Sequence, residues 1–250
     1  MKKVNVLGIN VTTASLDELN DFTKNTLKEN LKKVILYTNI HGMNLTGKYE
    51  WMTDLFNRSD VVLCDGAGIL WGSKILGSKI KERISLTDWG WVLSEILEET
   101  GHSLFLLGSS PDIVDRAVKG LLDRFPGLKI SGSYHGFYDF EGKDNSEVIN
   151  KINSSGTDVL LVGMGMPIQE KWILDNASNL NVKFIITCGA AFNYFAGVQK
   201  RCPLWISRIG LEWFHRFLHE PRRLFSRYFP GNFTFFLRIF RQKFSGKNIR

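Results

Sequence analysis

The sequence predicts an α/β fold, a mostly parallel sheet flanked by helices, followed by a C-terminal helical appendage. Three observations carry this expectation. Short apolar runs rich in Val, Ile, Leu or Phe recur up to about residue 190, amphipathic stretches separate them, and after Ala190 the strand-like runs stop while helical patterning continues. The predicted division is therefore an α/β core over residues 1–199 and a helical appendage over residues 200–250.

The elements follow in chain order. Strands are expected at Val4–Val11, Lys33–Thr38, Asp60–Cys64, Ser103–Leu107, Lys129–Tyr134, Asp158–Val162 and Lys183–Thr187, where β-branched and aromatic residues concentrate. Helices are expected at Ser15–Glu29, Tyr49–Asn57, Asp88–Thr100, Pro111–Phe125, Ser146–Asn153 and Gln169–Ala177. Ser15-Leu16-Asp17-Glu18 reads as a capped start, and Ser110-Pro111-Asp112 adds Pro at the first helical position, where the missing N–H costs nothing.

Composition narrows the classes. The 250 residues are 44% hydrophobic and 23% charged, as in an ordinary folded protein and unlike a disordered tail. Cys64, Cys188 and Cys202 are odd in number and widely spaced, so neither a zinc cage nor a disulfide framework is expected, and a reducing compartment is the simplest home. The basic start Met1-Lys2-Lys3 leads into an apolar segment that breaks at once, unlike a secretion signal. No run approaches the roughly 18 apolar residues that cross a bilayer, which predicts a soluble or peripheral protein.

Charge is concentrated at one end. Residues 200–250 hold 12 Lys or Arg against Glu212 and Glu220, a local net of +10 in a chain of net +7, which leaves −3 for residues 1–199. The same segment carries 12 of the 31 aromatic residues, from Trp205 to Phe244. That composition suits a helix lying in a membrane interface, where apolar burial and attraction to anionic headgroups act together. A basic packing helix at an oligomer interface and a single-stranded nucleic-acid surface share the composition. His215 and His219 are an i, i+4 pair without a third ligand, read as surface or interface and not as a metal site.

In open α/β sheets, ligands collect beyond the carboxyl ends of the strands. Those ends read Thr38-Asn39-Ile40-His41-Gly42, Cys64-Asp65-Gly66-Ala67-Gly68, Gly108-Ser109-Ser110, Gly163-Met164-Gly165-Met166-Pro167 and Gly189-Ala190-Ala191. One glycine there is ordinary turn chemistry. Five such turns together favour a phosphate-bearing ligand approached by backbone N–H groups. No P-loop and no full G-x-G-x-x-G is present, which speaks against an ATPase or a dehydrogenase.

Asp65 follows an apolar strand and is flanked by Gly66 and Gly68. It reads equally as a general base and as a helix N-cap. Arg83 reads as a diphosphate clamp or as a surface partner of Glu82 or Asp88. No Asp-x-Asp pair occurs, the nearest being Asp139-Phe140-Glu141, so a metal-free arrangement is expected.

Taken together these motifs resemble the WecG/TagA/CpsF glycosyltransferases of bacterial surface polymer synthesis, from Val6-Leu7-Gly8 to about Tyr228. Gly163-Met164-Gly165-Met166-Pro167-Ile168-Gln169-Glu170-Lys171-Trp172 is similar to the family's Gly-x-Gly-x-Pro-x-Gln-Glu-x-Trp, and Asp65-Gly66-Ala67-Gly68-Ile69 to its Asp-Gly-x-Gly-Ile. Glu82-Arg83 with Asp88 resembles Glu-Arg-x-x-Gly-x-Asp, with Leu86 in place of the glycine. Leu106-Leu107-Gly108, His135-Gly136-Phe137, Gly197 with Arg201 and Pro203, and Gly210-Leu211-Glu212-Trp213 with Arg216, Glu220-Pro221, Arg223 and Arg227-Tyr228 also match. Two further departures stand out: Asn193 sits where the family has Asp in Gly-Gly-x-Phe-Asp, and Thr38 sits where many members have Pro.

The resemblance implies a Rossmann-like α/β core and an inverting transferase that moves a sugar from a UDP-sugar to a polyprenyl-diphosphate-linked saccharide, with no cofactor and no required metal. An N-acetylmannosamine-type sugar, its uronic acid and glucose are the donors it leaves open. It makes Asp65 the base and Arg83 its companion. Thr38, Asn39, Gly66, Gly68, Asp88, Gly108, Gly163, Gly165, Gln169, Asn193, Arg216 and Arg223 are expected to bind substrate. It further implies a peripheral protein on the inner face of the cell membrane, in contact with an anionic surface, not bound to nucleic acid, and with a homo-oligomer left open. The alternative is a non-catalytic membrane-surface or nucleic-acid-binding α/β module.

Overall fold

The computed structural model describes residues 1–29, 31–203, 206, 210–219 and 221–245, with the side chains of His219, Arg223, Ser226 and Arg227 also outside the description. The matches at Glu220, Arg223 and Arg227, and the aromatic Trp205, therefore lie, wholly or in their side chains, outside the described residues. Strands β1 (Lys2–Val6) and β2 (Ile9–Thr13) form an antiparallel pair. β3 (Lys33–Thr38), β4 (Val61–Cys64), β5 (Ser103–Gly108), β6 (Lys129–Tyr134), β7 (Val159–Gly163) and β8 (Phe184–Thr187) form a six-stranded parallel sheet in the order β4-β3-β8-β7-β5-β6. The predicted α/β class is the observed one.

The chain divides into two compact units, Met1–Leu16 with Tyr37–Ser85 and Arg201–Arg250, and Asp17–Leu36 with Leu86–Lys200. A unit boundary falls between Lys200 and Arg201, one residue from the expected division, and the C-terminal segment groups with Met1–Leu16 and Tyr37–Ser85.

In the second unit, β5, β7 and β8 are buried on both faces, which is why they read as unbroken apolar runs and not as alternating ones. Leu104–Leu107, Val159–Val162 and Phe184–Ile186 are at most 1% exposed. β6 is an edge strand with a polar sequence, and its Gly132 leaves room for the Phe105 ring. Helices α1 (Leu16–Lys28), α5 (Leu86–Thr100), α6 (Pro111–Arg124), α7 (Gly142–Ser154), α8 (Ile168–Asn176) and α9 (Ala191–Phe195) complete the alternation. Asn20 accepts a hydrogen bond from the buried Trp89 indole, pinning α5 to α1.

In the first unit, the single strand expected at Val4–Val11 is a hairpin. Leu7 and Gly8 both take positive φ, 52° and 85°, as a two-residue turn between paired Val6 and Ile9 requires. The apolar run continued through the turn because Leu7 is itself buried, and that hid the reversal. Helices α2 (Ile40–Thr46), α3 (Glu50–Arg58), α4 (Ala67–Ile75), α10 (Glu212–His219) and α11 (Pro221–Ser245) belong to this unit. Phe235 and Ile239 of α11 are fully buried beside Gly72 of α4, where a Cβ would lie 2.9 Å from the Phe235 ring. Arg238 donates to the Met43 carbonyl at 2.5 Å, and the Gln242 side-chain oxygen accepts from the Leu7 N–H at 2.9 Å. The basic, aromatic helix is thereby fixed to the hairpin and to α2. No described helix is long and apolar enough to cross a membrane.

Candidate active site

The first unit contains a cavity of about 230 Å3 at the ends of β3 and β4. Asn39, Ile40 and His41 line it from the start of α2, and Asp65 to Gly68 with Trp71 from the start of α4. Arg83 lines it from the segment before α5; Gly210, Glu212, Trp213 and Arg216 line it from α10 and its approach; Tyr228, Asn232 and Phe236 line it from α11.

Local geometry explains how Asp65 reaches it. The Asp65 N–H donates to the Thr38 carbonyl at 2.8 Å, extending the strand ladder by one residue. Gly66 then turns at φ 146°, a conformation that L side chains rarely adopt, and is itself the N-cap of α4. The cap carries no side-chain hydrogen bond, so Asp65 is not the N-cap that one reading of the sequence allowed. Gly68 lets α4 approach Ile40, whose Cδ1 would lie 2.2 Å from an added Cβ. Half-buried Asp65 is left facing the cavity.

Arginines and one further carboxylate surround it. Arg83 donates to Glu212 Oε2 at 2.8 Å, and Arg201 donates to Glu212 Oε1 at 2.7 Å. Arg83 thus has a carboxylate partner from α10 that the sequence did not suggest, and Glu82 accepts the Leu16 N–H at 3.0 Å. Burial raises the Asp65 pKa above its usual 3.8; Arg83, Arg216 and Arg201 pull it down and Glu212 pushes it up, with the net direction upward. Burial also works against the charge on Glu212, but Arg201 and Arg83 outweigh it and hold that carboxyl below its usual 4.5. The neighbouring Cys64 thiol is pushed up to about 12, chiefly by burial, and stays protonated.

The cavity thus collects Asp65, Arg83, Asn39, Gly66, Gly68 and Arg216 from the expected residues. Asn39 caps α2, its side-chain oxygen accepting from the Gly42 N–H at 3.2 Å, which leaves its NH2 end for a ligand. Thr38 is fully buried and does not line the cavity; it acts through its carbonyl on Asp65 in place of the expected direct contact. Arg223 falls among the side chains outside the description.

Asp88, Gly108, Gly163, Gly165, Gln169 and Asn193 belong to the second unit. Gly108 pairs with Gly163 across β5 and β7; a Cβ on Gly108 would lie 2.3 Å from the Gly163 carbonyl oxygen. Gln169 is 1% exposed and has a different task from the expected substrate contact. Its side-chain oxygen accepts from the Gly165 and Gly189 N–H groups at 3.3 and 3.1 Å, and its NH2 donates to Glu170 at 2.8 Å, so it ties two glycine turns together. Burial raises Glu170 to about 7. Asp88 is exposed on the first turn of α5, and Asn193 is half-buried on α9.

Glu212, Arg201, Trp213, Tyr228 and Asn232 are site or site-adjacent residues that the candidate set did not contain. Arg201, Glu212, Trp213 and Tyr228 lie in segments that match the family, whereas Asn232 lies beyond the matching stretch and carries no sequence signal. Among the described residues, no three His, Cys, Asp or Glu side chains group as a metal site requires.

A strand-end carboxylate faced by arginine side chains suits proton removal beside a developing phosphate charge. Residues 4–249 match the model of the Glycosyl transferase WecG/TagA/CpsF family, and the chain belongs to that family. It is similar to an N-acetylglucosaminyldiphosphoundecaprenol N-acetyl-beta-D-mannosaminyltransferase of Staphylococcus aureus strain MW2, 26% identical over 226 residues that cover 89% of this chain and 87% of the relative. The protein of the same description from strain NCTC 8325 / PS 47 matches at the same identity and coverage.

Proposed function

We propose that this chain is an inverting glycosyltransferase that moves N-acetylmannosamine from its UDP-sugar to a hydroxyl of a saccharide carried on polyprenyl diphosphate. The observation that carries the reading is the Asp65 carboxylate in the cavity wall with Arg83 and Arg216. The acceptor oxygen attacks the anomeric carbon, the bond from that carbon to the diphosphate oxygen breaks, UDP departs, and the acceptor proton passes to Asp65. Asp65 is the base by position. Charge on the diphosphates is offset by Arg83 and Arg216, without a metal. The S. aureus relatives supply the choice of sugar and lipid diphosphate through their names.

The acceptor never leaves the bilayer, so the enzyme must come to it. Phe225, Phe229, Phe233, Leu237, Phe240 and Phe244 recur every three or four residues along one face of α11 and are exposed, while Leu224, Phe235 and Ile239 face the protein. An exposed aromatic stripe on a basic helix supports peripheral docking on the inner, anionic leaflet.

The test is UDP release from a panel of UDP-hexoses and UDP-N-acetylhexosamines with a synthetic lipid-diphosphate saccharide. Turnover with UDP-N-acetylmannosamine that depends on the acceptor is expected. Absence of turnover with every donor would overturn the reading.

A further inference from the structure

Glu212 has no part in the proton transfer proposed above, yet it lies in the wall of the Asp65 cavity with both carboxylate oxygens engaged. Its side chain is 16% exposed, and its partners Arg83 and Arg201 are 19% and 27% exposed, so the three groups are largely withdrawn from water. The partners come from distant places in the chain: Arg83 precedes α5, Arg201 follows α9, and Glu212 opens α10. Paired charges of this kind hold geometry well, because removing one partner withdraws a charge that the others are placed against.

We infer that Glu212 is a positioning residue that bridges Arg83 and Arg201, fixing the first guanidinium in the cavity wall and setting the charge that Asp65 meets. The charged groups acting on Asp65 are Arg83 on its own segment, Arg201 on the approach to α10, and Glu212 and Arg216 on α10 itself; His41 lines the cavity from α2. With both carboxylates ionised and His41 neutral, these groups sum to one net positive charge. That leaves an anion attracted while the base is not held permanently ionised by an uncompensated cluster of arginines.

The inference rests on Asp65 acting as the base, and it separates a bridging role from a merely structural one. Replacing Glu212 by Gln keeps the shape and removes the charge. Without the carboxylate, Asp65 meets three arginines unopposed and ionises more readily, while Arg83 loses its charged anchor.

The experiment compares the unsubstituted chain with E212Q and E212D in three measurements: the Asp65 carboxyl titration followed by 13C NMR, affinity for UDP by calorimetry, and the pH profile of kcat. E212Q is expected to move the Asp65 midpoint to lower pH, to bind UDP as tightly as before or more tightly, and to lose roughly 10- to 100-fold in kcat, as a small misplacement of a catalytic group does. E212D restores the charge without the reach, so its Asp65 midpoint should return toward the original while kcat stays reduced. An unchanged midpoint with unchanged kcat in E212Q, or a loss confined to thermal stability, would overturn the inference. If the unsubstituted chain transfers no sugar, the proposed function falls, and the NMR midpoint then decides the Glu212 bridge by itself: a downward move supports it and no move overturns it.

Discussion

Arg83 and Glu212, 129 residues apart in the chain, meet at 2.8 Å in the wall of the cavity that holds Asp65. The contact ties the segment before α5 to the first turn of α10, and the Arg201 guanidinium shares the same carboxylate at 2.7 Å. A lysine in place of Arg83 keeps the positive charge but loses the planar fork that serves a carboxylate and a diphosphate together. R83K is therefore expected to lower kcat/KM by roughly 100-fold, or about 2.7 kcal/mol of transition-state stabilisation, with folding retained. Steady-state kinetics beside a circular-dichroism melt checks this; kinetics equal to the unsubstituted enzyme would show that charge alone suffices.

Glu170 supplies a pH dependence of stability. Its folded value of about 7 lies above the ordinary 4.5, so the folded chain holds that proton more tightly than the unfolded one. Stability is therefore lost as pH rises from 4.5 to about 7, and no more is lost to this group above that. The whole effect is roughly 3 kcal/mol at most. E170Q is neutral throughout and still accepts from Gln169. Urea denaturation should find it gaining on the unsubstituted chain between pH 5 and pH 8; a constant difference across that range would remove Glu170 as the cause.

Much of this was legible in the sequence where burial and period coincide. Lys33–Thr38 and Lys129–Tyr134 are strands with the expected bounds, and the Pro111 helix starts at its proline. Two short helices, α2 and α9, were not foreseen, because each opens on a strand end rich in Gly, Ala or Asn and is too short to show a 3.6-residue period, and α4 was anticipated only through the capping reading of Asp65. Asp65 could be found because a carboxylate at a strand end stands out locally, whereas Asn39 and Arg216 were expected only from the resemblance of their segments to the family. Glu212 could not be placed as a bridge, since a contact across 129 residues leaves no local trace. Gln169 misled for the opposite reason: a motif position that looks made for a ligand is spent inside the protein, on Gly165, Gly189 and Glu170.

The two faces of α11 should separate docking from folding. Replacing exposed Phe229 and Phe233 by serine is expected to change stability by no more than about 0.5 kcal/mol per site. The same change should weaken binding to anionic phosphatidylglycerol vesicles at least tenfold, since about 1.5–3 kcal/mol of apolar transfer is lost per side chain. Phe235 faces inward with no exposure, so F235A should instead cost about 3–5 kcal/mol of stability. Vesicle flotation and denaturation on both variants check the pair, and unchanged flotation of the serine variant would show that the stripe does not dock.

The central claim concerns the Asp65 carboxylate, and D65N tests it most directly because the amide keeps the shape and cannot take a proton at working pH. Single-turnover transfer from UDP-N-acetylmannosamine to a soluble lipid-diphosphate acceptor, with UDP affinity measured on the same samples, should show a rate lower by roughly 100- to 10,000-fold and a Kd for UDP within a few fold of the original. In the unsubstituted enzyme the rate should rise with pH along a limb whose midpoint lies above 3.8, in the direction burial moves this group. A D65N rate within a few fold of the original would contradict the account and remove Asp65 from the proton transfer.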